Sequence, residues 1–457
     1  MIRAIRCFVI CGITLIASTT ISLAEESPPN QMNLSLVECI EIALGNNSQI
    51  VQDRYNVALS EVSVDDSRNA FLPSASVSWN ASRSIQGPRE GAVLDPETGV
   101  LITSLGESRV SGGQSVSLAG ISIPLYNAQI FATLSANKLG LKATRMSQSN
   151  NRQQTIYNVK QNYFNLLKAV ELFEVQKEQI RVSQENLRRQ ETLYEIGSTA
   201  ILNVFNARST LASSKVVLIN RENNVEITRA NLSFFLGLGP DVNLVPTQEQ
   251  FEMTPQNLSY ENVTGRALDS HPDLLRWKYT MEEARTRLKG TQRNARLPSA
   301  TMSASYSWSL GRDEQFLGLE DLFRKNYSYS VSVNVRLPVF NMGTENSIRR
   351  QKLQYLRTQE QFDQAKHQRL QQIRQSYLGL ERLRRLITAN EAAVKAAEES
   401  FKLVDQRYTL GGGTFLERQT EEANLFRARS DRVSAIYDYQ IELAQFQFRT
   451  GIAVEGE

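Results

Sequence analysis

Polar and apolar positions along this chain follow two periods, and each period occurs twice. Val159, Leu166, Phe173, Ile180, Leu187 and Tyr194 lie seven apart, and Ile373, Leu380, Ile387, Val394, Phe401 and Tyr408 repeat the series. An apolar stripe sustained at this spacing predicts helices packed side by side with supercoiling. Between Pro124 and Pro240 there is no proline, and from Ala128 to Leu236 only Gly140 and Gly197 interrupt; no proline follows Pro338. A helix from Ala128 to about Tyr194 would be roughly 100 Å long at about 1.5 Å per residue. An ordinary amphipathic helix against a globular core explains a few turns, not this length.

The second period is two. Met302, Ala304, Tyr306 and Trp308 alternate with Ser303, Ser305 and Ser307, and Tyr329, Val331, Val333 and Val335 with Ser328, Ser330 and Ser332. In the first half Ala75, Val77 and Trp79 alternate, while Val116 and Leu118 change phase at Gly120, which predicts a bulge. Strands are expected at about 73–84, 115–125, 299–310 and 327–338. Their length, their apolar and small-polar faces and their aromatics near one end fit a transmembrane β-barrel. A water-soluble sandwich with one buried face shows the same alternation. Such barrels need about 8 strands or more, so four per chain imply closure by several copies under cyclic symmetry.

The halves are copies. Ile123-Pro124-Leu125-Tyr126-Asn127 reappears as Leu337-Pro338-Val339-Phe340-Asn341, an offset of 214 that also pairs Tyr163 with Tyr377, Tyr194 with Tyr408, Gly197 with Gly411 and Gly237 with Gly451. Upstream, Leu72-Pro73-Ser74 matches Leu297-Pro298-Ser299, and the extra length of the first copy falls between Ser84 and Gly113, read as a loop. The expected organisation is a first repeat at 25–237 with a long helical hairpin over 128–236. A Pro-bearing linker follows at 238–257, then a second repeat at 258–457 with its hairpin over 343–450. Residues 1–24 read as a cleavable signal peptide: Arg3 and Arg6, an apolar stretch from Cys7 to Ala17, then Ser22-Leu23-Ala24.

Composition narrows the chemistry. Lys and Arg number 51 against 48 Asp and Glu, a balance that does not suggest a nucleic-acid partner. Two histidines, His271 and His367, have no second ligand at useful spacing, so no metal or other cofactor is expected. Gly411-Gly412-Gly413-Thr414 has no lysine and follows a helix, unlike a phosphate-binding loop. Cys39 alone remains beyond the signal segment, so no intrachain disulfide is available.

This layout resembles the TolC family of outer-membrane efflux and type I secretion channels, from about Leu34 to Gly451. The resemblance rests on the Leu-Pro strand entries at Pro73 and Pro298, on Pro124 and Pro338 before the long helices, and on the turns Leu193-Tyr194-Glu195-Ile196-Gly197 and Arg407-Tyr408-Thr409-Leu410-Gly411. It implies a mainly helical fold with β structure: a coiled-coil α-barrel continuing a twelve-strand transmembrane β-barrel closed by a homotrimer. It also implies an outer-membrane lipid setting, a periplasmic adaptor protein and an inner-membrane transporter of the RND or ABC type. On this reading the chain is a passive conduit with no enzyme activity. The turns at Gly197 and Gly411, with Gly412 and Gly413, would form the periplasmic tip where the adaptor docks.

The same resemblance implies the gate residues. A family carboxylate aligns with Glu417, which trimer symmetry would make a ring; the second acidic position is Thr420 here, with Glu421 and Glu422 following. The same glutamates equally fit solvated positions near a helix N-terminus. The gate tyrosine aligns with Tyr408 and its acidic partner with Asn203, leaving a Tyr–Asn hydrogen bond without charge assistance. For Tyr408 a packing role in the heptad stripe fits as well as gating. The gate arginine aligns with Gly413, so that link is missing unless Arg418 substitutes. A periplasmic coiled-coil adaptor or scaffold would share the helical hairpins but would not need four alternating strands.

Overall fold

The computed structural model describes residues 32–451 apart from 89, 98, 106–108, 241, 248–259 and 312–326. The expected signal segment and nearly all of the loop expected from Gly311 to Asn326, between the third and fourth strands, lie outside the described residues.

A short strand β1 (Met32–Leu34) leads into α1 (Leu36–Asn46) and α2 (Ser48–Asn69). Ser35 starts α1 with a capping box, its Oγ accepting from the Glu38 N–H while the Glu38 carboxylate accepts from the Ser35 N–H. Strands β2 (Ser74–Gln86), β3 (Glu90–Leu94), β4 (Leu101–Leu105) and β5 (Arg109–Tyr126) follow, then the hairpin of α3 (Ala128–Glu195) and α4 (Ile201–Leu236). The short strand β6 (Leu244–Pro246) precedes the second repeat: α5 (Tyr260–Ser270), α6 (Pro272–Asn294), β7 (Ser299–Gly311), β8 (Tyr327–Arg336), α7 (Met342–Thr409) and α8 (Phe415–Thr450). Both long helices have 68 residues and both return helices 36. Each long helix starts at an asparagine, Asn127 or Asn341, whose side chain accepts the N–H two residues on.

The four strands β2, β5, β7 and β8 form one antiparallel sheet in that order, with β2 and β8 at its open edges. The ladder shifts register between Ser117 and Ala119, next to the phase change at Gly120. Pro124, which has no N–H to donate, lies in β5 just before a second shift at Tyr126. Residues 84–113 are more than a loop. β2 and β5 continue past the sheet, and β3 pairs β4 in a separate hairpin with Leu94 opposite Leu101. Its turn closes at Gly99, whose φ of +66° is left-handed.

Two equatorial cores anchor the repeats. In the first, Cys39, Ala43, Val159, Leu166, Leu232 and Leu236 pack together around Tyr163, which is fully buried. The Tyr163 hydroxyl donates to the Thr247 carbonyl at 2.8 Å, tying the parallel β1–β6 pair to α3. The second, smaller core joins Val263, Ala267, Ile373 and Phe446. Cys39 therefore fills a core position, and burial pushes its thiol up to about 12. His271 caps α6: its Nδ1 accepts from the Asp273 N–H at 3.1 Å, so Nε2 carries the proton and donates to the Phe448 carbonyl at 3.1 Å. Among the described residues no helix is long and apolar enough to cross a membrane.

Candidate functional site at the hairpin turns

The chemistry-bearing residues singled out in the sequence converge where the two long hairpins turn. α3 and α7 both end in left-handed glycines, Gly197 at φ +73° and Gly411 at φ +81°. The Ser198 N–H bonds back to the Leu193 carbonyl at 2.8 Å and the Gly412 N–H to the Arg407 carbonyl at 2.9 Å, the six-to-one bond of a Schellman cap. The second turn is the tighter one. A Cβ at Gly413 would sit 3.1 Å from the Tyr408 nitrogen, so the third glycine lets the return strand lie against the helix end.

Tyr408 is half-buried between the hairpins. Its hydroxyl accepts from Gln190 Nε2 at 2.8 Å, the Arg189 guanidinium lies 5.9 Å over its ring, and Phe415 packs at 6.5 Å. Within the chain Asn203 does not reach Tyr408, because its amide donates to Thr199 Oγ1 at 2.9 Å, four residues earlier in the turn that precedes α4. Tyr408 and Asn203 nevertheless line one cleft of about 580 Å³ with Arg189, Leu193, Phe415 and Leu416.

Glu417 occupies the N3 position of α8 and closes a capping box with Thr414, whose Oγ1 accepts from the Glu417 N–H at 3.2 Å. Its carboxylate accepts from the Thr414 N–H at 3.1 Å and forms an ion pair with Arg407. The backbone hydrogen bond first, and Arg407 after it, hold this carboxyl below the usual carboxylate range, so it is ionised at neutral pH. It is a paired charge at a helix start. Glu421 accepts from Ser400 Oγ at 2.9 Å, and Thr420 turns its hydroxyl back to the Leu416 carbonyl at 2.9 Å.

Arg418, considered in the sequence as a substitute at the gate, is engaged inside its own hairpin. It is buried, with Nε on Asp405 at 2.6 Å, another nitrogen on Glu422 at 2.8 Å and its plane 5.3 Å over Phe401. All its partners lie within its own hairpin, which it braces. Burial pushes the Glu422 carboxyl up while Arg418 pulls it down.

Two contacts have no counterpart in the sequence reading: Gln190 donates to Tyr408, and Arg407, quoted there only as part of a turn, pairs with Glu417. A signal for the first exists. Gln176, Ser183 and Gln190 are buried at seven-residue spacing on α3, a polar row beside its apolar stripe. Of the strand-entry prolines, Pro73 and Pro298 immediately precede β2 and β7, and Pro338 stands between β8 and α7. Around the turns, Ile196, Leu202, Phe205, Leu410 and Leu416 expose apolar surface.

The chain matches the outer membrane efflux protein family over residues 39–238 and 263–451. It is 20% identical to the outer membrane protein TolC of Vibrio cholerae, covering 92% of this chain and 91% of that protein. It is 22% identical to the outer membrane efflux protein BepC of Brucella suis, over 87% of this chain and 80% of that one. Its fold is shared with the Campylobacter jejuni CmeC outer membrane channel, at TM-score 0.76 and 17% identity over 91% and 85% of the two chains. CusC superposes at TM-score 0.75 and 17% identity over 94% and 95%. With two copies of the strand-and-hairpin unit and a match that spans both, this chain belongs to the outer membrane efflux protein family.

Proposed function

We propose that three copies of this chain close their four-stranded sheets into a twelve-strand barrel in the outer membrane and bundle their hairpins into a periplasmic tunnel. The assembly is a passive efflux conduit, loaded through a periplasmic adaptor from an inner-membrane transporter of the RND or ABC type. The observation that carries this reading is the open sheet. Among the described residues β2 and β8 each present an unpaired edge, and β8 exposes Tyr329, Val331, Val333 and Val335 on one face. An apolar edge strand left in water is an aggregation hazard; pairing β8 with β2 of the next copy removes both edges, and lipid covers the apolar face.

The hairpin turns serve as the gated tip, with Tyr408 and Glu417 at its mouth and the apolar turn residues as the adaptor's docking surface. Three Glu417 carboxylates in a narrow mouth favour cations, to an extent that Arg407 limits. Single-channel recording of the detergent-purified protein in a planar bilayer, with Glu417→Ala alongside, tests this. Discrete cation-preferring steps that lose their preference in the variant support the conduit and its acidic mouth. A particle that is monomeric and soluble without detergent overturns the conduit, and steps unaltered by Glu417→Ala overturn the mouth.

A further inference from the structure

One face of the sheet is paved with hydroxyls. Ser74, Ser122, Ser303 and Ser332 stand opposite one another across all four strands, and the neighbouring row runs Ser76, Gly120, Ser305, Ser330. Ser305 and Ser330 approach to 2.9 Å through their hydroxyls, and Ser307 and Ser328 to 2.7 Å. The other face carries the exposed tyrosine and valines of β8. Given the barrel proposed above, on which this inference rests, the hydroxyl face lines the lumen.

Arg336 breaks that uncharged surface. It continues the alternation of Ser328, Ser330, Ser332 and Asn334, so it shares their face, and its Cα pairs with that of Ser299. It is exposed, and no ion pair or hydrogen bond of its side chain is seen among the described residues. The duplication does not repeat it, because the position 214 residues earlier is Ser122. β8 leads through Pro338 into α7, which places Arg336 at the barrel's junction with the tunnel. The tip carboxylates lie at the far end of a 68-residue helix, roughly 100 Å away at about 1.5 Å per residue. That is many Debye lengths at physiological salt, about 8 Å each, so they do not cancel it.

We propose that Arg336, present three times around the assembled pore, forms a positive collar at the periplasmic end of the β-barrel. It favours anionic over cationic solutes there. Serine hydroxyls add hydration without net charge, so on this face of the described sheet near the junction Arg336 alone carries charge, and it sets the sign of the field along that wall. The collar's reach depends on salt: the Debye length is about 30 Å at 0.01 M and about 3 Å at 1 M.

The test is a reporter thiol at Ser299→Cys, on the neighbouring strand, in the full-length trimer; the native Cys39 is fully buried. Its reaction rates with a small anionic and a small cationic thiosulfonate are compared at the two salt concentrations. A unit charge about 7 Å away in water shifts the two rates in opposite directions by roughly threefold each. Screening over a Debye length of about 30 Å at 0.01 M trims each shift to roughly twofold, so the anionic reagent should lead by on the order of fivefold, with the gap closing at 1 M. Arg336→Gln should abolish the difference and Arg336→Glu should reverse it. A rate ratio unchanged by Arg336→Gln overturns the collar. If Ser299→Cys is silent while Val333→Cys reacts with both aqueous reagents, the faces are reversed and the barrel reading itself fails.

Discussion

Gly290 in α6 faces Ala132 in α3 at a distance that tolerates no side chain. A Cβ built at Gly290 would lie 2.2 Å from the Ala132 Cβ, while its next contacts, Ala132 Cα and Gln129 Oε1, would be 3.7 and 3.8 Å away. Carbon pairs settle at about 3.5–4.0 Å, so Gly290→Ala forces the two helices apart by more than 1 Å or bends one of them. Overpacking of this kind costs about 1–3 kcal/mol, offset by the roughly 1 kcal/mol by which alanine outranks glycine in a helix. Because 2.2 Å is far inside contact, the upper half of the overpacking range applies, and a net loss of about 1–2 kcal/mol is expected. The double variant Gly290→Ala/Ala132→Gly moves the methyl across the interface and leaves it at 3.7 Å from the Ala132 Cα, an ordinary contact. It should recover most of the loss, with a coupling of about 1–2 kcal/mol, within the range for residues in contact. Thermal unfolding followed by circular dichroism at 222 nm on the wild type, both single variants and the double reads all four corners. A Gly290→Ala protein as stable as wild type, or a double variant no better than the sum of the singles, would refute the close α3–α6 approach.

Other sites give independent checks. Gly237 and Gly197 share φ +73°, but only at Gly237 would a Cβ meet backbone, the Asn46 carbonyl oxygen at 2.8 Å; Gly237→Ala should lower the melting temperature clearly more than Gly197→Ala, which carries only the left-handed penalty of about 1–2 kcal/mol. Arg418→Leu strands Asp405 beside a buried Glu422 and should cost about 3 kcal/mol or more, seen as faster amide exchange near the α7–α8 turn; unchanged protection there would show that the triad does not brace it. Cys39 should resist thiol reagents at pH 8 until the protein unfolds, since its thiol is buried and pushed up to about 12; rapid labelling of the native protein would contradict that. His271 is fully buried, and desolvation first, then Arg369, lowers its pKa to about 4 from the usual 6.5. The unfolded chain thus takes up the proton first on acidification. Stability is complete above about pH 6.5 and falls as pH drops toward 4, by roughly 3 kcal/mol in all. His271→Asn, which keeps a capping acceptor, should flatten that slope in denaturant titrations across pH 4–7.

Backbone architecture was readable because long-range order in this chain repeats in its sequence. A stripe every seven residues, alternation every second residue and an offset of 214 each average over many side chains, so no single exception hides them. The tip was far less readable. Asn203 turns to Thr199, Arg418 to its own hairpin and Glu417 to Arg407, choices that depend on which of several polar groups within reach wins, and spacing does not encode that competition. The β3–β4 hairpin leaves no such signal, because two five-residue strands separated by a short turn offer too brief an alternation to distinguish from a loop.

The duplication itself shows how length and chemistry come under different constraints. Both long helices hold 68 residues and both return helices 36, because hairpins standing side by side must turn at one level if their apolar stripes are to stay in register. Side-chain contacts obey no such rule. Thr414 closes α8 with a capping box, whereas Ala200, at the same place before α4, makes no side-chain cap bond; such a cap is worth about 1 kcal/mol. Arg418 ties α7 to α8 through a largely buried ion triad, whereas α3 meets α4 through the exposed Arg208–Glu191 pair at 3.0 Å and the buried Gln176, which donates to the Ser214 carbonyl; an exposed pair binds more weakly. The two hairpins are therefore equal as rods and unequal as springs. Polar contact between them at the turns runs mainly through Gln190 to Tyr408, Arg189 to Thr409 and Gln419 to Thr210. Any relative movement of the hairpins has to break these bonds while leaving the braced α7–α8 end intact.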